Sequence, residues 1–199
     1  AIPLSILAEG YAILRCVVAD FKAAGHEVTV LLDGRISKLN PPLKADCVVP
    51  VFYANEPQRF LASIAKINDA TYIIAPETDQ ILQSLVKVTE ETGKISLNCE
   101  SQAIAKVADK AILFETLQEL GVTPKTLVLN VDSDIFEIKK TVKNKLGYPV
   151  VLKPADGTSC SGVSIVRDEF QVDAAIAKIK AESKAKRFIA QEFINGQAA

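Results

Sequence analysis

Apolar residues at Leu7, Tyr11, Leu14, Val17, Val18 and Phe21 recur every three or four positions, which predicts an amphipathic helix over 7–24 that stops at Gly25. Val28 to Leu32 is an unbroken apolar run of the kind a parallel sheet buries on both faces, and Asp33-Gly34 ends it. Ahead of the helix there is room only for a stub of strand at Leu4–Leu7, so a first β-strand is expected to be missing. The pattern then alternates. Cys47–Phe52 reads as strand, Glu56–Asn68 as helix, Tyr72–Ala75 as strand, Asp79–Thr92 as a helix N-capped by Asp79, and Lys94–Asn98 as a short strand. Such alternation predicts a doubly wound, mostly parallel α/β domain over residues 1–98.

After Glu100 the pattern changes. Asp109–Leu120 reads as a helix closed by Gly121, Thr126–Leu129 as strand, and Ile135–Leu146 as a helix whose Lys139, Lys140, Lys143 and Lys145 form a solvated face. Tyr148-Pro149 then leads in extended form to Val150–Leu152, a β-branched run of a buried strand, and Lys153 follows where the run ends. Gly157, Thr158, Ser159, Cys160, Ser161 and Gly162 make a loop of small side chains before a returning antiparallel strand, Val163–Val166. Phe170–Lys180 is a helix with Val172, Ile176 and Ile179 on one face, and Phe188–Ile194 is a strand that ends at Asn195-Gly196.

Chemistry can be read from three of these places. A strand-borne ammonium facing a small-residue flap offers a point charge and backbone donors to phosphate oxygens; the plainer reading is an ordinary hairpin with a solvated lysine. Lys110 sits near a helix start, where the positive end of the macrodipole opposes a cation by roughly 0.3–1 kcal/mol, and an anionic ligand would remove that conflict. Glu77, Thr78 and Asp79 lie at the carboxyl end of a strand, where ligands of α/β sheets bind. Glu77 there can face a bound amine, or the segment simply caps the next helix.

Composition narrows the setting. The 199 residues carry 23 basic and 24 acidic side chains, spread without a basic face, so neither nucleic acid nor a membrane surface is an expected partner. No apolar stretch reaches membrane-spanning length and the first residues lack a signal-peptide pattern, so the chain is expected to be cytoplasmic. Cys16, Cys47, Cys99 and Cys160 are too far apart for a zinc site or a compact disulfide framework and are read as reduced structural thiols. Cys160 beside cations can act as a redox or alkylation switch, or is simply a small residue that fits. His26 is read as a surface residue. The absence of methionine and of G-x-G-x-x-G suggests a partial reading frame and argues against a dinucleotide domain.

Asp109-Lys110 opening a helix that ends in LGVTP, Lys153 before the flap, and QEFINGQ from Gln191 together resemble the ATP-grasp superfamily over residues 100–199. AEGYAILR, DFKAAGHEVTVLLDGRI, APETD and KPADGTSCSG look more narrowly like archaeal ATP-grasp carboxylate–amine ligases of the tyramine–glutamate ligase type. The resemblance implies a preceding α/β domain over 1–98 and an α+β ATP-grasp module, present in part, over 99–199. It implies that Lys110 and Lys153 hold the ATP phosphates and that the flap from Gly157 to Gly162 covers them. Gln191 and the Glu192 carbonyl would meet the adenine amino group, Phe193 would lie in the same hinge, and the Ile194 N–H would donate to the ring. The acidic residue that many members place two positions after the last glycine is Ala198 here, which leaves the ribose contact unassigned. The implied reaction joins a small-molecule carboxylate to an amine through an acyl phosphate, with ATP and Mg²⁺. The metal carboxylates are expected beyond Ala199, no catalytic residue is assigned, and a homodimer is admitted. A nucleotide-binding module without chemistry and a bicarbonate-dependent carboxylation are the rival readings.

Overall fold

The computed structural model describes residues 4–38, 41–52 and 57–196, with side chains from residue 7 onward. It divides into two compact units, Ala1–Ala75 with Ser84–Glu100, and Pro76–Gln83 with Ser101–Ala199.

In the first unit, helix α1 (Leu4–Ala23) begins where a stub of strand was expected, and Gly25 at φ 87° supplies the left-handed turn that ends it. Strand β1 (Thr29–Asp33) pairs in parallel with β2 (Cys47–Val51), and Val30 and Leu32 pack under Val18 of α1. Helix α2 (Pro57–Ile67) follows, burying Leu61 and Ala65. The next strand differs from its prediction. Ladder pairing is confined to β3 (Ala70–Thr71), which runs parallel to β4 (Ile95–Ser96). The residues read as strand, Tyr72–Ala75, have no strand partner among the described residues. At Ile73 the side chain of Asn98 takes over instead: its Oδ1 accepts from Ile73 N at 2.8 Å and its Nδ2 donates to Ile73 O at 3.0 Å. One amide thus satisfies both backbone groups that a further ladder residue would have paired. Helix α3 (Ile81–Glu91) buries Val86 and Thr89.

Asp79 does not cap α3. It lies in a 3₁₀ turn, Thr78–Gln80, with φ 54°, and Gln80 has φ 58°. Two successive left-handed residues break the helix that the apolar spacing alone would extend back to 79. This turn belongs to the second unit.

The rest of the second unit begins with α4 (Ser101–Ala108) and α5 (Lys110–Leu117), which ends through a 3₁₀ turn at Gly121, φ 65°. Strands β5 (Thr126–Asn130), β6 (Val150–Pro154), β7 (Ser164–Val166) and β8 (Arg187–Glu192) form an antiparallel sheet in the order β5-β8-β6-β7. Alternation sets its two faces. Val150, Leu152, Val166, Phe188 and Ala190 point toward α6 (Ile135–Lys145) and α7 (Val172–Glu182), closing a core with Ile138, Val142, Ile176 and Ile179. The lysine face of α6 is only partly solvated: Lys139 is ion-paired with Asp173, and Lys143 lies 3.3 Å from Glu169. His26 is exposed, as expected, and meets the Phe21 ring edge-on. All four cysteines are exposed and free. Among the described residues no helix is long and apolar enough to cross a membrane.

Candidate functional site

Lys153 lies inside β6, opposite Ile189 of β8. Because Leu152 and Pro154 face the core, Lys153 points to the other side of the sheet, the side on which Ala111 of α5 packs against Val128 and Ile189. Half-burial there pushes the Lys153 ammonium below its ordinary 10.5, and the nearby charge of Lys110 pushes the same way. No ion-pair partner of Lys153 is present among the described residues. Two cations that raise each other's free energy in a partly desolvated place favour a polyanion between them.

Lys110 is brought there by a tied helix start. Asp109 is the N-cap of α5, its carboxylate accepting from Ala111 N at 2.8 Å and Ile112 N at 3.0 Å. Its second oxygen accepts from Arg187 Nη2 at 3.0 Å, which fastens the helix start to β8. The Lys110 N–H donates to Ala155 O at 2.8 Å, and Lys110 Nζ donates to the Gly157 carbonyl at 2.7 Å. The conflict with the macrodipole is therefore relieved by a cap carboxylate behind the lysine and a carbonyl ahead of it. Asp109→Ala is expected to cost about 1–2 kcal/mol, since the cap and the Arg187 pair go together. Urea unfolding of the variant measures it, and a loss below about 0.5 kcal/mol would show that the cap does not hold this helix start.

The flap, Gly157 to Gly162, is compact. Ser161 N donates to Thr158 O and Val163 N to Cys160 O, with Ser159 and Cys160 at φ 52° and 60°. Gly162 has φ 69°, and a Cβ there would stand 3.1 Å from Pro154 and 3.4 Å from the Ile179 backbone, so both conformation and space require glycine. Its N–H donates to Glu182 Oε2 at 2.7 Å, which pins the flap base to the end of α7. The segment proposed to face an amine lies against the flap's other side. The Thr78 and Thr158 hydroxyls are 3.2 Å apart, Asp79 N donates to Asp156 Oδ2 at 3.1 Å, and Asp79 pairs with Lys184 at 3.0 Å. The Glu77 carbonyl accepts from Gln80 N at 3.2 Å, and its side chain makes no hydrogen bond among the described residues.

The remaining predicted positions lie at the end of β8. Gln191 shares the Lys153 face and donates from Nε2 to Thr126 Oγ1 at 2.9 Å. Glu192 is held at both ends by Lys125: its N–H donates to the Lys125 carbonyl, and its Oε1 accepts from the Lys125 N–H. Phe193 N donates to Pro149 O at 3.3 Å, and Ile194 follows the strand with 64% exposure. Ala198 lies outside the described residues. Lys110, Lys153 and the flap thus come together, with Gln191 farther along the same sheet face. Asp156, Glu182 and Arg187, which position these groups, escaped the sequence reading. Their partners are 20 or more residues away, and no local pattern marks them. No group of three His, Cys, Asp or Glu side chains suited to a metal occurs among the described residues.

Residues 26–104 match a family model described as a pre ATP-grasp 3 domain, and residues 107–199 match one described as an ATP-grasp domain. The formate-dependent phosphoribosylglycinamide formyltransferase of Methanocaldococcus jannaschii is 31% identical over 152 residues, covering 75% of this chain and 35% of that protein. The tyramine–L-glutamate ligase of the same organism is 27% identical over 152 residues, covering 75% of this chain and 37% of that protein. This chain therefore spans little more than a third of the curated relatives it matches. Among solved structures, the biotin carboxylase domain of 2-oxoglutarate carboxylase from Hydrogenobacter thermophilus superposes with a TM-score of 0.71 at 19% identity, over 91% of this chain and 42% of that one. Two adjoining family matches, a fold shared with that domain and the strand-borne lysine beneath its flap agree, and the chain belongs to the ATP-grasp superfamily.

Proposed function

We propose that this chain carries the nucleotide-phosphate side of an ATP-dependent carboxylate–amine ligase, residues 1–98 being the preceding α/β domain and residues 99–199 the first part of the ATP-grasp module. The observation that carries the reading is the pair Lys110 and Lys153: two cations beside one flap, the second held below its ordinary pKa by burial and by the first. Both would hold ATP phosphates, Lys110 exchanging its Gly157 carbonyl for a phosphate oxygen. The flap from Gly157 to Gly162, with Thr158, Ser159, Cys160 and Ser161 between, would cover them and exclude water. Gln191, the Glu192 carbonyl, Phe193 and the Ile194 N–H would form the adenine hinge. Glu77, Thr78 and Asp79, lying against the flap, would border the amine.

In such a reaction the carboxylate oxygen attacks the γ-phosphorus and the bond to the β-phosphate oxygen breaks, releasing ADP. The amine then attacks the acyl carbon, the amide C–N bond forms, and phosphate leaves as the amine loses a proton. Positioning and stabilisation of phosphate charge supply most of the acceleration. Mg²⁺ belongs to the proposal through the need to neutralise ATP, and the Hydrogenobacter domain is described with MgADP. The described residues contain no group of three His, Cys, Asp or Glu side chains suited to a metal, and no step is routed through the ion. That domain is also a dimer, and a homodimer is part of the proposal.

Phosphate release from ATP by the natural full-length protein tests the reading, with L-glutamate or formate as carboxylate and tyramine as amine. Release that needs both substrates supports the ligase. Nucleotide binding without release under any pairing would favour a binding module. Release that needs bicarbonate would indicate carboxylation.

A further inference from the structure

Thr126 opens β5 and stands directly opposite Gln191 of β8, both side chains lying on the sheet face that carries Lys153. Thr126 is only 9% exposed, so its hydroxyl has to find partners within the protein. It has two. Its Oγ1 lies 2.9 Å from the Pro124 carbonyl and 2.9 Å from Gln191 Nε2. A carbonyl oxygen can only accept, so the single hydroxyl proton of Thr126 goes to Pro124. What Thr126 then offers Gln191 is a lone pair.

That fixes which way the amide points. With Nε2 donating to Thr126, the Gln191 Oε1 lies on the branch turned away from β5. Turned over, it would face an oxygen with no proton left to give. The backbone beneath is held as well. One residue along from the pair, the Glu192 N–H donates to Lys125 O at 2.9 Å and the Lys125 N–H donates to Glu192 Oε1 at 2.8 Å. Gln191 Oε1 itself has no hydrogen-bond partner among the described residues, which leaves an acceptor of fixed direction on the Lys153 face.

We propose that Thr126 is a specificity-determining positioning residue. Through its bond to Pro124 it holds the Gln191 amide with the acceptor outward, so that the site takes a base with an exocyclic amine and rejects one with a carbonyl in that place. The inference rests on the adenine-hinge reading of Gln191 and adds how the polarity of that hinge is set. An unheld glutamine discriminates little, because by turning over it meets an amine with its oxygen or a carbonyl with its nitrogen. Held by Thr126, it meets a purine 6-carbonyl oxygen against oxygen, and the two unpaired acceptors disfavour that ligand.

The test is calorimetric titration of the natural full-length protein with ATP and with inosine triphosphate, which share sugar and phosphates and differ at the purine 6-position and the adjoining N1. The parent is expected to prefer ATP. Thr126→Val keeps the shape and removes the hydroxyl, and the ratio of ATP to inosine triphosphate affinity should fall about threefold to tenfold, the range for one hydrogen bond. Thr126→Ser keeps the hydroxyl and should keep the parent ratio. Gln191→Leu separates the proposal from the reading beneath it. A parent that binds neither nucleotide, or a ratio unmoved by Gln191→Leu, overturns the hinge reading and the proposal with it. A ratio lowered by Gln191→Leu but not by Thr126→Val leaves the hinge standing and overturns the proposal alone. Nuclear Overhauser contacts in the unliganded parent give a second measure that needs no variant: the Gln191 Nε2 protons should lie close to the Thr126 β-proton and γ-methyl, and contact with neither overturns the assigned orientation.

Discussion

Lys153→Ala is expected to weaken ATP binding between about tenfold and a hundredfold, the range for losing a charge-assisted hydrogen bond worth roughly 1.5–3 kcal/mol. The fold should not suffer, because the lysine makes no ion pair among the described residues and its strand neighbours Leu152 and Pro154 carry the packing. Calorimetric titration with ATP gives the first number and urea unfolding the second; undiminished affinity would remove Lys153 from the phosphate site. A pH series adds a signature that packing alone cannot imitate. The folded lysine binds its proton less tightly than the unfolded one, whose pKa is near 10.5, because of burial and Lys110. Between the folded value and 10.5 the unfolded chain therefore holds more protons, so stability of the unliganded protein rises with pH through that window. Lys153→Met should be more stable than the parent below the window and should lose this contribution to the rise. An unchanged slope would mean that the ammonium is not disfavoured by its surroundings.

Phe188→Ala should have the largest effect on folding of any single change considered. Phe188 is 0% exposed on the central strand β8, between β5 and β6, and packs into the core under α6 and α7. Truncating a buried phenylalanine costs about 3–5 kcal/mol, a large share of the 5–15 kcal/mol typical of a domain. Phe170 is 83% exposed and provides the control: Phe170→Ala should stay within about 0.5 kcal/mol of the parent. Chemical unfolding followed in the second unit compares them directly, and similar midpoints for the two variants would contradict the assignment of the core.

The antiparallel sheet was legible because its strands alternate strongly: Val150 and Leu152 inward with Lys153 outward, Phe188 and Ala190 inward with Gln191 outward. The places of Lys153 and the flap followed from the β-branched run Val150–Leu152 and the small residues after it, and that of Lys110 from the start of its helix. Helix α4 was missed although SQAIAKVA is rich in helix formers, because it spans only eight residues and a polar residue, Ser101, takes the first place on its buried face. Strand β3 and the Asp79 turn failed for a different reason. Both are decided by partners distant in sequence, Asn98 for Ile73, and Asp156 and Lys184 for Asp79, and such pairings leave no local period. Asp109 was read as part of its helix; that its carboxylate also receives Arg187, 78 residues later, could only be seen in three dimensions.

The Asn98 bridge sets a chemical clock on the first unit. Its side chain serves Ile73 only as an amide, with one donor and one acceptor facing a backbone carbonyl and N–H. Hydrolysis to aspartate, a change to which asparagine is prone on heating, would leave two acceptors. The one turned toward the Ile73 carbonyl would meet it as a like partial charge. Ageing of the protein at this single position would then appear as a loosening of the end of β3.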